Sequence, residues 1–187
     1  SSEGINCCTE FPIQDKRVRT LPHVVPGLWN VSGILSSTGL LFEWYRRFSG
    51  MDRVSYHEML SRIEKANRPI PWFFPTLHCG ATWEFHHGMF YGLGADHGGP
   101  EMGRAVVESI GFAVRETIDI LRSLAGPIES LRVCGGQARN HIWGQMKADI
   151  AGVAIDVPRV IEAELIGAAA CGFSALSAES PTRIARR

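Results

Sequence analysis

A chain of 187 residues fits one ordinary domain, which buries roughly 70% of the surface its unfolded chain would expose. Its 45% hydrophobic and 20% charged residues are near the averages of globular proteins, and 19 basic side chains balance 19 acidic ones. Zero net charge excludes partners held by bulk electrostatics, so neither nucleic acid nor a membrane surface is expected, and small ligands remain open.

No apolar run reaches the ~20 residues of a membrane span, and the first residues lack the order of a signal peptide. A cytoplasmic protein is therefore expected. The cysteines, Cys7, Cys8, Cys79, Cys134 and Cys171, are odd in number and contain no CxxC, so they read as reduced thiols, mostly small core residues. The chain opens at Ser1 without Met and enters an apolar stretch within a few residues, as a fragment would.

In chain order, strands are predicted at 5–9, 23–25 and 28–33, with a Pro26-Gly27 turn between the last two, antiparallel in character. Apolar residues at Leu40, Leu41, Trp44, Tyr45 and Phe48 predict a helix over 37–48, capped by Ser36 or Ser37. Ser55 with Glu58 three residues later makes a capping box, and Tyr56, Met59, Leu60 and Ile63 form one stripe of a second helix ending before Pro69. Residues 69–99, rich in Pro, Gly, His and aromatics, read as a buried strand at 72–74 followed by an irregular excursion.

From 101 to 125 the pattern is a long amphipathic helix, with Val106, Ile110, Val114, Ile118 and Leu121 on one side, stopped by Gly126-Pro127. A strand at 130–134, a helix at 138–151, a strand at 153–157 and a helix at 161–176 follow, and this alternation implies an α/β layer arrangement in one domain spanning 1–187. The small residues between Gly167 and Gly172 suggest a close-packing face, and Arg183, Arg186 and Arg187 a frayed tail.

The segment with most chemical content runs Leu131-Arg132-Val133-Cys134-Gly135-Gly136-Gln137-Ala138-Arg139-Asn140. A strand that ends in two glycines and opens a helix presents bare backbone N–H groups, where a base or phosphate meets no Cβ. The same pattern also serves as a plain tight turn. Arg139 is placed either over a ligand or in solvent.

The order of residues along the chain goes further. Gly135 to Asn140, then Trp143, Gln145, Ala148-Asp149, Gly152-Val153, Glu162-Ala163 and Gly167-Ala168-Ala169 resemble the C-terminal lobe of the FGGY carbohydrate kinases. Arg104-Ala105-Val106-Val107-Glu108-Ser109-Ile110 is similar to that family's "RAVxEGI" helix, and Pro26-Gly27-Leu28-Trp29 through Gly33, Gly39 and Glu43-Trp44 is similar to its Gly-rich helix start. The opening Ser1-Ser2-Glu3 with Asn6 and Thr9 resembles the region after the phosphate-contacting "GTS".

The resemblance implies an α/β, ribonuclease-H-like (actin-like ATPase) lobe, a mixed sheet flanked by helices, forming the nucleotide-binding half of a two-lobe kinase. It implies ATP and Mg²⁺ as cofactors and a sugar or polyol, such as a pentose or pentulose, as acceptor. It sets Gly135, Gly136 and Asn140 against the adenosine, Gly39 and Glu43 along the nucleotide path, and Ser1 at the phosphates. The catalytic Asp, most sugar contacts and the acidic Mg²⁺ environment belong to the other lobe, so no catalytic residue or metal ligand is assigned in this chain. This lobe alone is expected to be inactive, and its exposed cleft wall could support a homodimer.

The family's "GERTP"-like stretch reads here as Gly80-Ala81-Thr82-Trp83-Glu84-Phe85, with aromatic bulk in place of charge. Two other readings stand beside the kinase. One is a non-catalytic nucleotide-binding module of the actin-like kind. The other is a metal-dependent hydrolase built on His78, Cys79, Glu84, His86, His87 and His97, against which stand the poor spacing and the absence of HExxH. Trp44, Trp72, Trp83 and Trp143 are expected in the core or a cleft wall.

Overall fold

The computed structural model describes residues 2–66, 69–76 and 85–186. The chain folds as layers of strand and helix, with parallel and antiparallel pairing held in separate sheets. β1 (Glu3–Thr9) pairs antiparallel with β3 (Trp29–Leu35), Glu3 facing Leu35 and Thr9 facing Trp29, and β2 (Arg19–Pro22) lines the other edge of β3. The strand predicted at 23–25 is instead the turn after β2. His23 Nδ1 accepts the Val25 N–H at 2.9 Å, and the His23 N–H donates to Leu28 O, so these groups close a turn instead of a ladder.

α1 (Thr38–Phe48) and α2 (Tyr56–Glu64) follow as predicted. Ser37 stands at the N-cap of α1 but its side chain caps nothing. Ser55 does accept the Glu58 N–H, while the Glu58 carboxylate takes Arg62 one turn on. β4 (Trp72–Phe74) pairs antiparallel with β5 (Met89–Tyr91), a strand inside the stretch read as irregular. Only Phe73 of β4 is buried, because a two-stranded ribbon can press just one face on the core.

α3 (Gly99–Ala125) is the spine of the fold, packing on α1, α2, α4, β1, β3 and β4. The side chains of Val106, Ile110, Val114, Ile118 and Leu121 are all buried, each contributing ~1.5–3 kcal/mol relative to exposure. Its first half joins α1, α2 and the start of α4 (His141–Ala151) in one apolar cluster around Tyr45, Met59, Leu60 and Ile63. Its second half meets Ile5, Val31 and Leu35 of the antiparallel sheet, Ala151 at the end of α4 and Val153 just after it.

β6 (Ser130–Arg132) pairs parallel with β7 (Ala154–Asp156) across α4, and α5 (Ala163–Ser177) follows. The predicted frayed tail holds one more turn, α6 (Pro181–Ile184), capped by Ser180; Arg187 lies outside the described residues. The expected close-packing face on α5 is not formed. A Cβ built on Gly167 or Gly172 meets nothing within 4 Å, because among the described residues α5 rests chiefly on α6. The described cysteines also depart from expectation, Cys8, Cys134 and Cys171 being exposed and Cys7 only half-buried, while Cys79 lies outside the described residues.

Candidate nucleotide site

The turn at the C-terminal end of β6 is built by backbone. The Val133 N–H donates to Asp156 O of β7, and the Gly135 N–H donates to Ile161 O at 2.7 Å, which stops the strand and turns the chain outward. Gly135 has φ of +78°, a left-handed conformation that glycine adopts without a Cβ penalty. Gly136 is exposed, and a Cβ built on it meets nothing within 4 Å. The two glycines therefore have separate reasons: Gly135 serves the backbone, and Gly136 keeps a surface bare.

The helix predicted from 138 is divided here. Gly136–Arg139 form a 3-10 turn, Asn140 is extended at φ −119° and ψ 104°, and α4 begins at His141. Asn140 Oδ1 accepts the N–H groups of Ile142 at 3.1 Å and Trp143 at 3.4 Å. This is an N-cap, and capping requires the non-helical backbone that breaks the helix. With Oδ1 so used, the amide NH₂ of Asn140 is the part able to donate to a ligand.

Gly39 and Glu43 lie on α1, both half-buried. Glu43 Oε1 accepts the hydroxyl of Tyr56, and its other oxygen lies 3.6 Å from the Arg46 guanidinium, which sits over the Tyr56 ring. The hydrogen bond to Glu43, more than burial, raises the Tyr56 hydroxyl pKa. Phe42, beside Glu43, packs on Trp143 in the first turn of α4 with ring centroids 4.4 Å apart. His57, beside Tyr56, faces His141 at 5.7 Å. Thus α1 and the start of α2 are packed against the first turn of α4, on the side where Asn140 caps it.

Arg139 pairs with Glu162, and Glu164 Oε1 would lie 3.9 Å from a Cβ on Gly135, so two carboxylates rim the turn. Ser1 lies outside the described residues, as do His78, Cys79, Trp83 and Glu84. The His86 and His87 rings are in tilted contact, with centroids 4.0 Å apart, and His97 Nδ1 accepts the Gly94 N–H. Among the described residues no three His, Cys, Asp or Glu side chains are grouped as a metal would need. Trp143 is buried and Trp44 half-buried, whereas Trp72 is more than half exposed and leans on Phe112.

One group was not foreseen. Lys147 in α4 is buried and pairs with Glu3 at the start of β1. Burial lowers its pKa, against the pull of the Glu3 carboxylate. Nothing in the spacing of the two residues signals the pair, since they are 144 positions apart.

Residues 8–176 match the FGGY family of carbohydrate kinases, C-terminal domain. The xylulose kinase of Escherichia coli (strain K12) is 28% identical over 146 residues, 76% of this chain and 30% of that protein. The crystal structure of ligand-bound xylulose kinase from Lactobacillus acidophilus superposes with a TM-score of 0.81 at 22% identity, covering 99% of this chain and 39% of the other. That of Plasmodium falciparum glycerol kinase with ADP gives 0.77 at 21% identity, over 98% and 39%. The likeness to these two structures shows the fold, an α/β arrangement of the actin-like ATPase kind. The chain spans about 30% of the length of the curated relatives it matches. No helix among the described residues is long and apolar enough to cross a membrane.

Proposed function

The chain belongs to the FGGY family of carbohydrate kinases, as a C-terminal domain, and we propose that it is the nucleotide-binding lobe of an ATP-dependent kinase acting on a sugar or polyol. The observation that carries the reading is the bare turn: Gly136 exposed with open space above it, Gly135 in a conformation made for glycine, and Asn140 capping α4 with its NH₂ to spare. A flat base needs such a surface, and adenosine would rest on Gly135 and Gly136 with Asn140 beside it. Gly39 and Glu43 of α1 would line the path toward the phosphates, with Ser1 at their far end.

Mg²⁺ would be held by the phosphates and by acidic residues of a second lobe, which would also supply the catalytic Asp and most of the acceptor contacts. Phosphoryl transfer depends on alignment of two substrates and neutralisation of charge, so this lobe alone would be inactive. Closure of the two lobes would keep water from competing with the sugar hydroxyl. α5 supports a second lobe: Leu165, Phe173 and Leu176 are 69%, 59% and 86% exposed at spacings that place them on one side of the helix. Such an apolar face needs cover, and in the isolated lobe a second copy would provide it.

Relatives that include xylulose, glycerol and autoinducer-2 kinases support an acceptor among pentuloses and small polyols, and the proposed enzyme would act in the cytoplasm. The test is ADP release by the full-length protein with D-xylulose, L-xylulose, glycerol and a panel of pentoses. Release that depends on one of them is expected. ATP binding without acceptor-dependent release would point to a non-catalytic nucleotide-binding module.

A further inference from the structure

Lys147 is 5% exposed, on the eleven-residue helix α4. A buried ammonium is costly unless each of its donors is met. Here Nζ donates to both oxygens of Glu3, at 2.6 and 2.8 Å, and to Oε1 of Gln137. It also lies 5.1 Å from the centre of the Trp143 ring. An apolar residue would pack this position at least as well, since replacing a buried ion pair by hydrophobic side chains is often neutral or stabilising. Stability alone gives no reason for the lysine.

Its partners give one. Glu3 opens β1, two residues after Ser1, where the nucleotide reading sets the phosphates. Gln137 follows Gly136 directly in the 3-10 turn, where the same reading seats the adenosine. We infer that Lys147 is a positioning residue for the nucleotide, a single buried ammonium that ties the Gly135-Gly136 turn to the start of β1 and so sets the span between the two ends of bound ATP. The inference rests on the proposed nucleotide site. Glu3 holds the phosphate end and Gln137 the adenine end, with Lys147 common to both.

The test compares Kd for ATP and for adenosine, with Mg²⁺ present, in the full-length protein and in its Glu3→Gln, Gln137→Leu and Lys147→Met variants, with Tm measured alongside. Glu3→Gln is expected to weaken ATP about tenfold and adenosine less than about twofold, because the turn keeps its contact. Gln137→Leu is expected to weaken both by similar factors. Lys147→Met is expected to weaken ATP at least as much as either, and adding Glu3→Gln to it should cost nothing more. Unchanged Kd values in variants whose Tm alone has moved would overturn the inference while leaving the nucleotide site standing. An unaltered protein that binds neither ligand would overturn the site and the inference together. Should Lys147→Met fail to fold, the ratio of ATP to adenosine binding in Glu3→Gln decides alone, since that change is nearly isosteric.

Discussion

Gly33 in β3 faces Thr117 in α3 so closely that a Cβ added to the glycine would lie 2.2 Å from Thr117 Cγ2. The contact sets how near α3 comes to the antiparallel sheet. Gly33→Ala is expected to destabilise by ~1–3 kcal/mol through overpacking. Thr117→Ser removes the offending methyl and keeps a hydroxyl for the Ala113 carbonyl, so the double variant should recover most of the loss. Chemical denaturation of the three variants checks this, and additive losses would contradict it.

Tyr45 is wholly buried, and its hydroxyl donates to the Gly99 carbonyl at the start of α3. Burial first, and the Glu101 carboxylate to a smaller extent, push its pKa up to about 12. The folded value lies above the unfolded one near 10, so the folded state favours the neutral phenol. This contribution is complete below about pH 10 and is lost as pH rises from about 10 to about 12, an amount of about 2–3 kcal/mol. Absorbance of ionised tyrosine should report this late titration, and Tyr45→Phe should flatten the alkaline loss of stability.

Asn140 holds two roles in one side chain. Asn140→Asp keeps an oxygen for the Ile142 and Trp143 N–H groups and loses the NH₂. It should leave stability within about 0.5 kcal/mol and weaken ATP binding, whereas Asn140→Ala should cost ~1 kcal/mol and weaken binding as well. Thermal unfolding beside ATP titration separates the two, and undiminished ATP affinity in Asn140→Asp would remove the residue from the site.

α5 gives a prediction about association. Phe173→Glu and Leu176→Gln replace exposed apolar side chains, so Tm of the isolated lobe should change by little while any self-association falls. Sedimentation measures it, and association unaffected by these changes would place the contact elsewhere.

What was legible in the sequence was local. The stripe of α2 with its Ser55 cap and the apolar side of α3 follow from periodicity, because one face of each helix has one neighbour. The Gly135-Gly136 turn was legible because only glycine suits Gly135's backbone there. The break at Asn140 was hidden because a capping Asn and a mid-helix Asn look alike until the backbone turns. β5 was hidden among aromatics and glycines, and the strand expected at 23–25 was displaced by His23 bonding its own backbone neighbour. Lys147 was hidden because its burial depends on Glu3 at the other end of the chain.

The central claim is that nucleotide rests on the Gly135-Gly136 turn. A Cβ on Gly136 meets nothing of the protein, so Gly136→Val should fold as the unaltered chain does and fill only the space above the turn. Calorimetric titration of the full-length protein with ATP and Mg²⁺ is the direct test. Binding that the unaltered protein shows and Gly136→Val loses is the predicted result, and equal affinity in the two would contradict the account.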